Sequence, residues 1–260
     1  MAASGALSGA RFSGKVAIVT GVGRGMGRAV ALLLAQEGAK VMANDIDACS
    51  AMTVAEEVRA LAGQATGVQG DVSKPEDAQR VVEAAIAAYG RIDILVNNAG
   101  VARPTSPVET IGDDEWATVI GVNLTGVFNF MKAVLPHMKK QKSGKIVNIS
   151  STAGRSSSTF GGAHYTASKA GVLGLTRHAA REAAPFNINI NAVAPGMMET
   201  ELLYELATPE RIAQVARERV PMGRPGRPEE EASLVAFLAS DDASFITGAT
   251  VDINGGQLMM

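Results

Sequence analysis

The sequence predicts a single α/β domain, a doubly wound parallel β-sheet with helices on both faces. Three observations carry this. Short β-branched apolar runs alternate with helix-period segments along the 260-residue chain, and parallel strands need crossover connections of that kind. A glycine-rich stretch at residues 20–27 separates the first apolar run from the first helical segment; doubly wound sheets bind dinucleotides at such a turn. The composition is 47% apolar but only 4% aromatic, which suits close packing of helices on a sheet through small residues.

Residues 15–20 (KVAIVT) form the first predicted strand, a β-branched run of buried-strand length. A helix follows over 26–37, stopped by Gly38, because glycine adopts the left-handed turn of a helix end. Residues 40–44 read as a strand, 51–62 as a helix, and 67–70 lead into Asp71. Ser73, Pro75 and Glu76 form a helix start, with Ser73 as cap, for a helix running to Tyr89. Strands are expected at 92–97, 145–150, 188–193 and 250–253, and helices at 113–138, 164–183 and 228–239. No linker or repeat interrupts the alternation. The expected organisation is a flexible tail over 1–13 and one domain over 14–260.

The formal charge of −2 gives no electrostatic case for binding nucleic acid or an anionic membrane. Cys49 is the single cysteine, so no intrachain disulfide can form, and three scattered histidines make no metal-ligand pattern. The small, polar first residues do not resemble a secretory signal. No apolar run approaches the roughly 20 residues that span a bilayer. A soluble cytoplasmic protein, without a metal, is the expectation.

The glycine stretch reads TGVGRGMG. It does not fit G-x-G-x-x-G, since Met26 occupies the third glycine position. It fits T-G-x-x-x-G-x-G with Gly21, Gly25 and Gly27, and Arg24 lies inside it. Glycines let backbone approach a pyrophosphate, and the helix start supplies free N–H groups and partial positive charge. The competing reading is a turn that only packs strand on helix. Asp45 ends the second strand roughly 20 residues later, where a carboxylate can bond ribose hydroxyls. Otherwise it is a solvated turn residue. Asp71 and Val72 close the third strand near the adenine position. Asn98, Ala99 and Gly100 follow the fourth strand on the same ligand-binding edge.

Tyr165 and Lys169 are four residues apart on a predicted helix and so share a face. A free phenol, with a pKa near ~10, is a poor base at neutral pH. A neighbouring ammonium favours the phenolate and lowers that pKa, making a group that exchanges a proton with an alcohol or alkoxide. Ser151 ends the fifth strand and can donate to a substrate oxygen or cap a turn; Ser150 competes for the role. Asn123 sits inside a predicted helix, where asparagine is a mediocre choice. It either holds a water near Lys169 or bonds the backbone.

Together TGVGRGMG, Asp45, GDV, NNAG, the Asn123 segment, NISS, YTASK and PG followed by Thr200 resemble the short-chain dehydrogenase/reductase family, over about residues 11–256. The resemblance implies a Rossmann-type fold and a catalytic tetrad of Asn123, Ser151, Tyr165 and Lys169. It implies that Lys169 also contacts the nicotinamide ribose, with Asn123 relaying protons through water. Pro195, Gly196, Met198 and Thr200 are implied nicotinamide-side contacts, and Asn98 a structural or cofactor-side residue. Two departures stand out. The Ser151–Tyr165 interval is one residue longer than the family pattern, so loop 155–160 is expected to bulge into the substrate cleft. Asn189 replaces an arginine common in the family, with an effect expected on packing.

Residues 197–222 are the least family-like part and are expected to form an apolar lid, from Met197, Met198, Leu202, Leu203 and Leu206, over a substrate with an apolar part. Arg103 and Arg155 either meet an acidic substrate or are surface residues. The expected function is NAD-dependent interconversion of a secondary alcohol and a ketone, with Tyr165 as acid/base. The alternatives are a 3-oxoacyl-thioester reductase and a non-catalytic dinucleotide-binding regulator; the complete tetrad argues against the last. Asp45 argues for NAD over NADP, since a 2′-phosphate beside it would place like charges together; Ile46 agrees and Arg24 opposes. The resemblance further implies a homotetramer paired through helices 113–138 and 164–183, with Leu258, Met259 and Met260 buried against a neighbour.

Overall fold

A computed structural model describes residues 10–260 of the chain. Seven parallel strands form one sheet in the order β3-β2-β1-β4-β5-β6-β7. They are β1 (Val16–Thr20), β2 (Lys40–Asp45), β3 (Gln64–Gln69), β4 (Ile94–Asn97), β5 (Gly144–Ile149), β6 (Ile188–Pro195) and β7 (Thr250–Ile253). The order reverses between β1 and β4, which opens a crevice at the carboxyl ends of those strands.

Strand alternation divides the core. Ala17, Val19, Ile94 and Val96 face one side, where they meet Val30, Ala31 and Leu34 of α1 (Gly25–Gln36), Val54 and Val58 of α2 (Ala48–Ala60), and Val235 and Ala236 of a helix at Pro228–Ala239. Ile18 and Leu95 face the other side, as the two-residue period requires. There they pack on α3 (Pro75–Tyr89), on Val127, Phe130 and Val134 of a helix at Gly126–Gln141, and on Val172 and Ala180 of a helix at Ala163–Ala183.

Several boundaries differ from expectation for local reasons. Helix α2 begins at Ala48, three residues early, because Asp47 caps it by accepting from the N–H groups of Cys49 and Ser50. Ser73 is not the cap of α3. Lys74 holds that position, Pro75 opens the helix, and the Ser73 hydroxyl donates to Asp71 Oδ1 (2.7 Å). Strand β3 ends at Gln69, so Asp71 and Val72 lie in the turn beyond it. The expected helix 113–138 is α4 (Asp113–Ile120), a π-turn at Gly121–Thr125, and α5 (Gly126–Gln141). The span Asp113–Gln141 is long and apolar enough to cross a membrane, against the expectation that no apolar run approaches that length. Here it is a core helix, with Phe130, Val134 and Met138 against the sheet.

Helix α6 is Ala163–Ala183. Beyond β6 come α7 (Glu201–Leu206) and α8 (Pro209–Arg219), the latter capped by Thr208, and then α9 (Pro228–Ala239). Of the expected tail over 1–13, residues 1–9 lie outside the described part, and residues 11 and 12 are packed on the domain. Phe12 is buried, its N–H donates to Glu37 O (2.8 Å), and Arg11 is paired with the Glu37 carboxylate. Burial of one such aromatic contributes about 2 kcal/mol toward holding this short segment on the domain.

Candidate active site

The crevice at the carboxyl edge of the sheet holds a cavity of about 360 Å³. Its wall includes Gly21, Arg24, Gly25, Met26, Asp45, Asp71 and Val72 on one side. Asn98, Ala99, Gly100, Ser151, Tyr165, Lys169, Pro195, Gly196, Met198 and Thr200 complete it. These residues come from six separate connections, and the fold brings them to one edge. Two expected site residues stand behind the wall instead: Gly27 and Asn123.

Gly27 has a packing role. A Cβ there would stand 2.1 Å from Gly21 O and 2.3 Å from Asn98 Nδ2. Gly21 and Gly25 adopt positive φ angles of 66° and 54°, which side chains disfavour. Asn98 Nδ2 donates to the carbonyls of Thr20 and Gly21, each at 2.9 Å. Thr20 Oγ1 accepts from the N–H groups of Asn98 and Ala99. The glycine loop is thus tied to the end of β4 by side chains that both segments supply.

The cradle fits a nicotinamide dinucleotide. Helix α1 begins with no side-chain cap and no acidic residue in its first turn, so its N–H groups stay available to a pyrophosphate. Asn44 Oδ1, in a residue of the cavity wall, is buried without a partner. Asp45 lies at the end of β2, with Oδ2 accepting from Gly23 N–H (2.8 Å) and Oδ1 from Asp47 N–H (3.1 Å). Arg24 is paired with Glu205, which turns its guanidinium toward α7 (Glu201–Leu206).

The proposed acid/base groups sit on α6 and the end of β5. Lys169 is buried, and its Nζ donates to Ile149 O at 2.8 Å. The Lys169 Nζ lies 5.7 Å from the centroid of the Tyr165 ring. Burial lowers the Lys169 ammonium to about 8, while Glu231 pulls it up. The expectation of a depressed phenol is corrected. Burial pushes the Tyr165 phenol up, and the Ser151 hydroxyl only partly opposes this. A lysine that is itself desolvated does not offset the cost of burying a phenolate.

Ser151 and Ser150 have different tasks. Ser150 Oγ donates to Lys169 O (2.8 Å), which fastens α6 to β5. Ser151 caps the short turn at Thr152–Gly154, accepting from Ala153 N–H (3.1 Å), and also lines the cavity. Asn123, fully buried in the π-turn, accepts from Val101 N–H and donates to Val101 O, both at 2.8 Å. Its amide also donates to Ser168 Oγ (3.1 Å). A Cβ on Gly100 would lie 3.4 Å from Asn123 Oδ1 and 3.5 Å from Lys169 Nζ, so both groups converge on that glycine.

Ser157, Ser158, Thr159 and Phe160 line the cavity, as the long interval before Tyr165 predicts. Opposite them stand Met197, Met198, Leu202, Leu203 and Leu206. Arg155 does not reach the cleft; it donates to Thr250 O and is paired with Asp252. Arg103 is exposed and donates to Ala102 O. Asn189 bonds Ser244 O, Ile246 O and Lys145. His164 and Glu115 were not anticipated. The imidazole is buried, accepts from Tyr165 N–H through Nδ1 (2.8 Å), and meets Glu115 Oε1 through Nε2 (2.7 Å). The only sequence signal was adjacency to Tyr165.

A family profile described as enoyl-(acyl carrier protein) reductase matches residues 21–257. The chain belongs to the short-chain dehydrogenase/reductase family. Within this family it is 44% identical to the 3-oxoacyl-[acyl-carrier-protein] reductase FabG of Thermotoga maritima, covering 96% of this chain and all of that one. A short-chain type dehydrogenase/reductase from Mycobacterium marinum superposes with a TM-score of 0.92 at 33% identity, over 98% of this chain and 99% of that one. Levodione reductase superposes with a TM-score of 0.90 at 36% identity, over 95% and 98%. As a short-chain dehydrogenase/reductase the chain is an oxidoreductase that uses a nicotinamide dinucleotide.

Proposed function

We propose that this protein reduces a 3-oxoacyl thioester to its 3-hydroxyacyl form, using NAD(H) in preference to NADP(H). The observation that carries the substrate class is its 44% identity, over the full length of the relative, to an enzyme named for that reaction. An apolar lid face, with Leu202, Leu203 and Leu206 in the cavity wall, suits an acyl chain. The cofactor choice rests on Asp45 in the cavity wall and on the pairing of Arg24 with Glu205, which engages its charge.

In this reading the bound nicotinamide supplies the hydride to the carbonyl carbon. Tyr165 gives its proton to the developing alkoxide, a task suited to a phenol whose pKa is held high. The Ser151 hydroxyl donates to the same oxygen. Lys169 keeps a positive charge near that proton, and Asn123 and Ser150 hold the surrounding backbone in place. Gly21, Gly25 and Met26 bound the pyrophosphate site, while Pro195, Gly196, Met198 and Thr200 wall the nicotinamide side.

A second reading, reduction of a simple ketone or oxidation of a secondary alcohol, is favoured by the likeness to levodione reductase. Initial rates with acetoacetyl thioesters, cyclic diketones and secondary alcohols, each with NAD(H) and NADP(H), separate the two. The proposal requires kcat/KM for the thioester to exceed that for the ketones. We further propose a cytoplasmic homotetramer, in which exposed Trp116, Phe128, Met259 and Met260 are covered. Light scattering at micromolar concentration must give four chains.

A further inference from the structure

The cavity wall carries an aromatic ring besides Tyr165. Among the described residues that line it, Phe160 is the other aromatic. It ends a run of small polar residues, Ser156, Ser157, Ser158 and Thr159, in the long interval before Tyr165. Its apolar partners belong to the lid. Phe160 packs on the cluster that includes Met197, Leu203, Ile212, Val215 and Val220. Met197 and Leu203 of that cluster also line the cavity.

The backbone at Phe160 is fixed on both sides. Phe160 O accepts from Thr105 N–H (2.8 Å), Gly162 N–H donates to Arg103 O (3.2 Å), and Pro104 and Gly161 form an antiparallel bridge. Gly161 N–H donates to Ser158 Oγ (2.8 Å), and Ser158 N–H donates to Thr166 Oγ1 (3.3 Å). Loop 157–162 is therefore tied to the segment after β4 and to the first turn of α6. Gly161 also lies against the acid/base tyrosine: a Cβ on it would stand 3.0 Å from Tyr165 Cδ1. Two successive residues thus meet different partners, Phe160 the lid cluster and Gly161 the tyrosine ring. A side chain locked by such packing holds its place against a substrate.

The room beside it is small. The cavity of about 360 Å³ is near the lower end of the roughly 300–1,000 Å³ that small-molecule sites span. The same cavity, from Asp45 to Leu206, receives both cofactor and substrate. With the reacting carbonyl at Tyr165, an acyl chain runs toward the apolar part of the wall, Leu202, Leu203 and Leu206. Phe160 stands between that tyrosine and the lid.

We propose that Phe160 sets the chain-length limit of the site: its ring bars long acyl chains, so the enzyme takes short 3-oxoacyl thioesters such as the acetoacetyl one. The proposal rests on the thioester reading given above.

Packing supplies the discrimination. One methylene too many in a hydrophobic pocket is worth about 10- to 200-fold in kcat/KM. The adaptable side chains of Met197 and Met198 can yield to a substrate; a ring held from two sides cannot. Truncating Phe160 opens volume toward the lid and leaves the loop fastened, because its ties run through backbone groups and through Ser158 and Thr166.

The test uses the full-length enzyme and the variants Phe160→Ala and Phe160→Leu. The substrates are the coenzyme A thioesters of acetoacetate, 3-oxohexanoate and 3-oxodecanoate, with a cyclic diketone beside them. In the parent, kcat/KM should fall by about 10-fold or more from the acetoacetyl to the 3-oxodecanoyl thioester. Phe160→Ala should raise the 3-oxodecanoyl-to-acetoacetyl ratio by about 10-fold or more, and Phe160→Leu by a smaller factor in the same direction. A ring that only packed the lid would lower kcat/KM for every thioester by one common factor. If the ratio does not move, or the parent already favours the long chain, Phe160 sets no limit, and the thioester reading stands without it. If the parent reduces the diketone and none of the thioesters, that reading fails and the chain-length limit with it. Thermal unfolding monitors the fold; should Phe160→Ala not fold, the ratio in Phe160→Leu decides.

Discussion

The His164 imidazole accepts the backbone N–H of Tyr165 at 2.8 Å through Nδ1, while its Nε2 meets Glu115 Oε1 at 2.7 Å. Because Nδ1 accepts, the proton lies on Nε2 and is donated to the glutamate. One side chain therefore closes the open start of α6 and links it to α4. Tyr165, the proposed proton donor, is the residue so anchored.

Replacing His164 by Leu removes both bonds and lets the first turn of α6 shift. Misplacement of a reacting group by about 1 Å can cost roughly 100-fold in rate. We expect kcat to fall about 10- to 100-fold, with a smaller change in KM. Steady-state kinetics alongside thermal unfolding checks this. A variant with parent kcat would leave His164 only a helix cap.

Tyr165→Phe retains the ring and loses the proton. Turnover should drop by about 10²–10⁴-fold, the usual contribution of a general acid. Cofactor affinity, read from quenching of reduced nicotinamide fluorescence, should stay within about twofold, since a lost group used only in the chemical step leaves binding intact. More than half of parent kcat would end the assignment.

Asp45→Ala is expected to lower kcat/KM for NAD and reduce the discrimination against NADP. On the proposed reading the carboxylate would repel a 2′-phosphate; it also braces the loop through Gly23. Glu205→Gln should act from the other side, freeing Arg24. That pair is half exposed, so its effect on NADP should be only a few-fold. A parent enzyme that favours NADP would overturn the role given to Asp45.

Stability should pass through a minimum near pH 8. Glu231 has a folded pKa of about 8, above the ordinary 4.5. Its favourable contribution is therefore complete below pH 4.5 and is lost as pH rises to 8. Lys169 is depressed from 10.5 to about 8, so its contribution is present above 10.5 and is lost as pH falls to 8. Urea midpoints from pH 5 to 10 should trace that dip. In Glu231→Leu the descending arm should vanish and the midpoint at pH 8 should rise, because the unpartnered carboxyl is gone. An unchanged descending arm would show that other groups govern it.

The alternation of strands and helices, the glycine loop, the strand-end Asp45 and the Tyr165–Lys169 spacing were legible in the chain, because each is a local pattern whose period or interval has a direct geometric meaning. So was the cleft-lining loop before Tyr165. Other features depended on groups far apart in sequence. Burial held the Tyr165 phenol high, and no local spacing reports burial. The π-turn that directs Asn123 at Val101 interrupts an otherwise continuous helical pattern. Phe12 and Arg11 resembled tail residues until α1 and Glu37 were beside them. Nothing in the local sequence sets Glu231 apart from Glu229 and Glu230 at the same helix start. Only the packing of α9 on the sheet turned that side chain inward, where desolvation and the field of Lys169 decide its charge.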